Sequence, residues 1–254
     1  MTTAKIDAVL VDGNNVSRKH NQATKLRSGG FETQAIFGCV KSARAMKVEY
    51  PSAQHTWLWD GRALWRYDIH PDYKSKRNLP DPRRDAERAS HNAQKPFLTQ
   101  ALDNLGLGQM LCTAHEADDL AGIIIGNVKS KKPNALIQAI SGDGDWVQLV
   151  REGVGVRDLN DDAKIYTLSN LMDKTGYRTP YAYLEGKCLH GDGSDDIPGV
   201  GGMARKVHRS FWLSSVACAT SGRWLTAGLS NRRRRRTSAW LHQRVGLHSV
   251  ATCV

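Results

Sequence analysis

Apolar residues recur along this chain in short runs that end in acidic residues, separated by stretches with helical spacing. Residues 6–11 are an apolar run that gives way to Asp12, Gly13, Asn14 and Asn15, the pattern of a buried strand delivering polar groups at its end. Within residues 31–50 the apolar positions Ala35, Ile36, Cys39, Val40, Ala43 and Met46 keep helical periodicity until Pro51, which predicts a helix. Residues 55–59 read as a second strand, followed by Asp60 and Gly61. Residues 66–92 are polar, basic and broken by proline, and predict loop or short helix with no obvious core. A helical stripe follows at Phe97, Leu98, Ala101, Leu102 and Leu105, stopped by Gly106. Residues 110–113 read as a third strand, 116–128 as a helix, and 135–140 as a fourth strand running into SGDGDW. Residues 154–158 and 164–168 are candidates for a β-ribbon.

Strands alternating with helices predict an α/β domain with a mostly parallel central sheet flanked by helices. In such sheets ligands bind at the carboxyl ends of the strands. The acids that follow the apolar runs are Asp12, Asp60, the group Glu116, Asp118 and Asp119, the pair Asp143 and Asp145, and then Asp192, Asp195 and Asp196. Crowded on one sheet edge, so many carboxylates repel one another unless protons or cations intervene. Mg²⁺ and Mn²⁺ prefer carboxylate and water oxygens. Zinc is disfavoured for want of a Cys/His set. Taken alone, EADD also reads as the acidic first turn of a helix, and SGDGDW as an ordinary loop. In combination, each acid cluster follows a buried-looking strand.

Several other chemistries are excluded. No GxGxxG is followed by a distant acid, and there is no GxxxxGK[ST], GxSxG or HExxH, so dinucleotide, Walker-type, serine-hydrolase and zincin sites are not expected. The 254 residues are 40% hydrophobic and 24% charged, which fits a folded domain with a small appendage. No run reaches the roughly 18–20 apolar residues of a membrane span, and the start is a poor signal peptide. The five cysteines are scattered without CxxC spacing. Neither disulfides nor a structural zinc site is expected, Cys39, Cys112 and Cys188 read as small core groups, and a reducing cytoplasm is the expected setting.

The formal charge of +11 is concentrated at one end: residues 197–254 hold ten basic side chains and no acid, Arg232 to Arg236 in succession among them. Basic surface attracts polyanions. The alternative is a segment with little selected structure, translated out of its usual frame. A carboxylate-rich metal site beside basic segments points to phosphodiester hydrolysis, with two cations clamping the scissile phosphate and the YKSKRN bases neutralising developing charge.

The motifs VDGNN at 11–15, WDG at 59–61, RYDIHPDYKSKR at 66–77, EADD at 116–119, GDGDWVQLV at 142–150 and GDGSDDIPGVGG at 191–202 occur in the order of a known family. The chain resembles the 5′–3′ exonuclease and flap endonuclease family, which includes the 5′-nuclease domain of bacterial DNA polymerase I and short bacteriophage enzymes. The resemblance implies a PIN-like nuclease domain over residues 1–180, with an arch or clamp at about 62–95. It implies a partial helix–three-turn–helix DNA-binding element over 181–210, and leaves 211–254 as an atypical basic tail. It implies two Mg²⁺ ions, with Mn²⁺ an acceptable substitute. One ion would be held by Asp12, Asp60, Glu116 and Asp118, the other by Asp143, Asp145, Asp192 and Asp195, with Asp119 counted among the metal residues and near both. Asp118 and Asp143 are implied to be catalytic, and Lys74 and Arg77 to touch the scissile phosphate. Tyr73 would offer a stacking surface to a terminal base, and Gly199, Gly201 and Lys206 would meet duplex backbone.

The implied partners are DNA 5′ ends and flaps and RNA primers on DNA, in phage DNA replication or host DNA degradation, with a monomer acting in the cytoplasm. Ala204 stands where the family hairpin usually carries glycine, and no resemblance continues past Lys206. The rival reading is therefore a catalytically weak or inactive DNA-binding relic with an altered carboxyl end. A PIN-type ribonuclease would share the acids but would not need the GDGSDDIPGVGG segment.

Overall fold

A computed structural model describes residues 5–23, 25–159, 161 and 163–201. Ala204, Lys206 and the basic tail lie outside these described residues.

The core begins with β1 (Ala8–Asp12), which leads without a loop into α1 (Gly13–Ala23). The polar residues after the first apolar run are thus the opening turn of a helix. A minimal hairpin, β2 (Arg27–Ser28) and β3 (Phe31–Glu32), precedes α2 (Gln34–Glu49), so the helix expected within residues 31–50 begins at Gln34. β4 (Gln54–Trp59) follows, then short α3 (Trp65–Ile69), a 3₁₀ turn at Ser75–Asn78 and long α4 (Pro82–Asn104). β5 (Gly108–Leu111) and β6 (Ile137–Ile140), joined through α5 (Ala117–Lys131), extend the parallel sheet on either side of β4 and β1. After a 3₁₀ helix at Gly144–Leu149, β7 (Val154–Arg157) pairs antiparallel with β8 (Ile165–Tyr166), which is the expected ribbon. α6 (Leu171–Thr175), α7 (Pro180–His190) and the two-residue strands β9 (Gly191–Asp192) and β10 (Ile197–Pro198) close the described chain.

The six-stranded sheet has the order β5-β4-β1-β6-β7-β8, parallel except for β8. β1 sits at its centre, in register Val11↔Trp57 with β4 and Val11↔Ile140 with β6. Its continuous apolar run follows from burial on both faces. Val9, Val11, Trp57 and Trp59 pack with Cys39, Met46, Leu98 and Leu102 on one side. Leu10 and Leu58 pack with Leu120, Ile125, Ile137 and Trp146 on the other. The result is an α/β domain with a mixed, mostly parallel sheet between helical layers.

α4 corrects the expectation that residues 66–92 contain no core. Its N-cap Asp81 accepts a bond from Arg84 N, and Pro82 opens the helix, a favourable start. What it buries there is polar: His91 Nε2 lies 2.8 Å from Ser17 Oγ, and Gln94 Oε1 accepts from Ala35 N at 2.8 Å. Asn21 Oδ1 accepts from Gln34, Ser90 and Gln94. A buried face satisfied by hydrogen bonds leaves no apolar stripe to read. Within the stripe at 97–105, Leu98 and Leu102 are buried while Phe97 and Leu105 are exposed. Cys39 is buried as expected, but Cys112 and Cys188 are only partly so. Among the described residues no helix is long and apolar enough to cross a membrane.

Candidate metal and phosphate site

Because β1, β4 and β6 are parallel neighbours, their carboxyl ends meet at one edge. β1 delivers Asp12, which is buried, with Asn15 N donating to Oδ1 at 2.9 Å and Ser141 Oγ to Oδ2 at 2.8 Å. β4 is followed by Asp60, whose Oδ1 accepts from Ala117 N at 3.0 Å. This bond joins the end of β4 to the start of α5. Gly61 makes the approach feasible: its N–H donates to His115 O at 2.9 Å, and a Cβ there would overlap the Cys112 carbonyl oxygen. Beyond β6, Asp143 N donates to Ser141 Oγ and Asp143 Oδ1 accepts from Asp145 N, both at 3.0 Å. Ser141 and Asn15, whose Oδ1 accepts from Gly142 N at 3.0 Å, therefore brace the end of β1 against the turn after β6, and neither carries a role assigned from the sequence.

Glu116 caps α5 in a reciprocal box with Asp119. That accounts for the helix-capping reading of EADD, yet Glu116 and Asp118 also open onto the cleft. A cleft of about 320 Å³ is lined by Asp12, Asp60, Glu116, Asp118, Asp143, Asp145 and Asp195, together with Lys74, Arg77, Arg18 and Lys19. Asp119 and Asp192 are not on its wall. Asp192 stands close by: Asp145, Asp192 and Asp195 each present an oxygen within 4.8 Å of the others, a geometry that can hold a metal ion.

The cations expected at a phosphate instead rest on these acids. Lys74 Nζ is 2.7 and 2.8 Å from the two Glu116 oxygens, and Arg77 donates to Asp195 Oδ1 at 2.9 Å. Lys74 holds a left-handed backbone at φ 57° and its N–H donates to Asp195 O at 3.1 Å. Strain of that kind persists only where surrounding contacts impose it. Asp196, also left-handed, accepts from Lys76 N at 2.8 Å, so residues 195–196 hold the 74–76 turn in place. Tyr73 is 3% exposed, with its hydroxyl donating toward Glu116 at 3.1 Å and Asp195 at 3.2 Å. Its ring is covered by Arg66, Lys74 and Tyr67, so it presents no open stacking face here, and its visible role is to bridge two acidic groups.

Two basic residues with no assigned role prove central. Arg66 donates to both oxygens of Asp119, and Lys187 bridges Asp145 and Asp192. Arg66 stood in the quoted RYDIHPDYKSKR motif, where its role was not assigned. Lys187 carried only its position five residues before Asp192. Gly199 packs its Cα against the His190 backbone, whereas among the described residues nothing lies within 4 Å of a Cβ at Gly201.

The donor set fits hard divalent cations on the evidence of its own electrostatics. Burial, reinforced by Asp60 and Asp143, pushes Asp12 up to about 7. Burial with Asp119, Glu116 and Asp145 pushes Asp118 to about 7 despite Arg66. Burial also raises Asp195, against the pull of Lys74 and Arg77. Against its burial, Lys187 and Ser194 hold Asp192 down to about 2. Carboxylates crowded to this degree are relieved by a cation that accepts oxygen ligands.

Residues 7–176 match the family model described as the 5′-3′ exonuclease, N-terminal resolvase-like domain, and the chain belongs to that family. It is 29% identical over 211 residues to DNA polymerase I of Bacillus subtilis (strain 168), covering 81% of this chain and 23% of that protein. It is 32% identical over 157 residues to the 5′-3′ exonuclease of Streptomyces coelicolor, covering 58% of this chain and 50% of that one. The chain thus spans about a quarter of the polymerase and half of the exonuclease. Among solved structures it resembles T5 5′-exonuclease with bound zinc ions, at 21% identity and TM-score 0.67 over 82% of this chain and 75% of that one. It also resembles the bacteriophage T5 flap endonuclease in complex with DNA and metal ions, at 19% identity and TM-score 0.67 over 90% and 81%. That structural likeness is one of fold.

Proposed function

We propose that the chain is a metal-dependent 5′–3′ exonuclease and 5′ flap endonuclease acting on DNA 5′ ends, flaps and RNA primers on DNA. The domain is read as PIN-like, working as a monomer in the cytoplasm. The observation that carries the reading is one cleft in which acids from three adjacent strand ends and the start of α5 face Lys74 and Arg77. Asp12, Asp60, Glu116 and Asp118 would hold one Mg²⁺ ion and Asp143, Asp145, Asp192 and Asp195 the other, with Mn²⁺ able to substitute. When bound, such a pair supplies water activation at neutral pH and stabilisation of the leaving oxygen.

The remaining work belongs to the chain. Lys74 and Arg77 are held at the cleft by Glu116 and Asp195, and a scissile phosphate draws them off these carboxylates to neutralise its equatorial charge. Arg18 and Lys19, on the same wall, track the adjoining phosphate. The strained 74–76 turn keeps both bases aimed inward. By the resemblance, Gly199, Gly201 and Lys206 would meet duplex backbone.

The test is cleavage of a 5′-labelled flap duplex with Mg²⁺ and with EDTA, beside the Asp143→Asn variant. The expected result is product that requires Mg²⁺ and disappears in the variant while the fold persists by circular dichroism. A folded chain without product in Mg²⁺ or Mn²⁺ would refute the assignment in favour of an inactive DNA-binding relic.

A further inference from the structure

We infer that Arg66 is a positioning residue that holds Asp119 out of ion coordination and uses it to anchor the first turn of α5, so that Glu116 and Asp118 alone of that group face the ion. The inference rests on the nuclease reading and assigns roles within its first acidic group.

Both oxygens of Asp119 are engaged. Arg66 Nη2 lies 2.8 Å from Oδ1 and 2.7 Å from Oδ2, and Oδ2 also accepts from Glu116 N at 3.1 Å. The carboxylate closes the α5 cap and lies off the cleft wall, which Glu116 and Asp118 share. An ion at Asp119 would have to displace a bidentate guanidinium and a helix cap away from the cleft wall, whereas Asp118 and Glu116 stand on that wall, Glu116 with its oxygens on Lys74 and Tyr73, the groups a bound phosphate would draw away.

The same guanidinium reaches further. Nη1 donates to the Tyr73 hydroxyl at 3.0 Å and lies 3.4 Å from Glu116 Oε2, while Nη2 is 3.8 Å from Asp118 Oδ1. The rings of Trp65 and Tyr73 cover it at 5.2 and 5.7 Å. Trp65 Nε1 in turn donates to Ala114 O at 3.0 Å, pinning α3 just ahead of the acidic turn. One planar cation thus ties α3, Tyr73 and α5 into a single geometry. Lysine cannot reproduce this, because a single ammonium lacks the rigid planar array needed to serve Asp119 and Tyr73 together. Buried ion pairs contribute little net stability, so alignment of the acids is the gain such a pair provides.

The experiment is Mn²⁺ titration calorimetry on the full chain without DNA, paired with flap-cleavage kinetics, for the unaltered protein and for Asp118→Asn, Asp119→Asn, Arg66→Lys, Arg66→Gln and the Arg66→Gln/Asp119→Asn double variant. Asp119→Asn should bind as many Mn²⁺ ions as the unaltered chain, and Asp118→Asn should lose one. Arg66→Lys and Asp119→Asn should each lower kcat by roughly 10–100-fold with KM for the duplex little changed. The double variant should be no slower than its worse parent, because both remove one interaction. Loss of an ion in Asp119→Asn, multiplied losses in the double variant, or a rise in KM alone would overturn the inference. If Arg66→Gln does not fold, Arg66→Lys and Asp119→Asn carry the test. An unaltered chain that binds no Mn²⁺ sinks the nuclease reading and this inference with it, whereas an ion lost only in Asp119→Asn sinks the inference alone.

Discussion

The Lys187 ammonium lies 2.7 Å from Asp192 Oδ2, and the same nitrogen reaches across to Asp145 Oδ1 at 2.5 Å. From α7, Lys187 thereby neutralises Asp145 in the 3₁₀ helix and Asp192 at the end of β9. Although burial works against it, Asp192 is held at about 2 by Lys187 and Ser194. Its folded pKa is below the unfolded value, so the pairing stabilises the chain above about pH 4 and is lost as pH falls toward 2. Lys187→Met should lower stability in EDTA at pH 7 by about 2 kcal/mol, read as a drop in melting temperature of roughly 4–8 °C. Mn²⁺ should restore more of the loss in the variant than it adds to the unaltered chain. Equal melting in EDTA would show the pair to be inconsequential.

Asp12 should behave in the opposite sense. Burial, with Asp60 and Asp143, raises its folded pKa to about 7 against an ordinary 3.8. A raised folded pKa means stability that is full below about pH 4 and declines as pH rises through 7. Asp12→Asn should therefore melt higher than the unaltered chain at pH 8 in EDTA, by an amount on the order of 2–4 kcal/mol. The difference should vanish near pH 4, and the variant should not cleave DNA. Thermal melts across that pH range decide the matter, and a difference independent of pH would refute it.

Lys74 and Arg77 are predicted to act on the transition state more than on binding. Lys74→Ala and Arg77→Ala should each lower single-turnover cleavage by roughly 10²–10³-fold, with DNA affinity in EDTA little altered. A weakened affinity with an unchanged cleavage step would assign them to ordinary backbone binding.

Gly199 and Gly201 should differ. A Cβ at 199 would overlap the His190 carbonyl, next to the β9–β10 pairing that carries Asp192 and Asp195. Gly199→Ala should cost about 1–3 kcal/mol and weaken Mn²⁺ binding, whereas Gly201→Ala, with no described residue within 4 Å of its Cβ, should leave melting and Mn²⁺ binding unchanged. Calorimetry and melts on the two variants test the contrast.

The central strand was legible because it is an apolar run buried on both faces, as Val9, Leu10 and Val11 show, whereas the edge strand β5 leaves Met110 and Leu111 exposed. Most of the acid groups were legible because each follows an apolar run or opens a helix, while Asp192 and Asp195, in the hairpin after α7, stood out only by their motif. α4 was not, since its first half buries His91 and Gln94 in hydrogen bonds instead of apolar side chains. α1 was hidden for a related reason: Gly13, Asn14 and Ser17 are buried polar or small residues that carry no hydrophobic period.

By itself the sequence determined the α/β class and the family, and it pointed to most of the acids and to Lys74 and Arg77 on the cleft wall, but not to Arg18 or Lys19 there, because residue type and order along the chain carry only part of that information. Only the tertiary structure decided which partner each charge takes. It placed Lys74 on Glu116, Arg77 on Asp195, Lys187 between Asp145 and Asp192, and Arg66 on Asp119. It also buried Tyr73 between the two acidic groups. Those pairings join segments from α3 to β9 that lie far apart in sequence, and a charge finds its partner through distance and burial in space, which residue spacing does not encode.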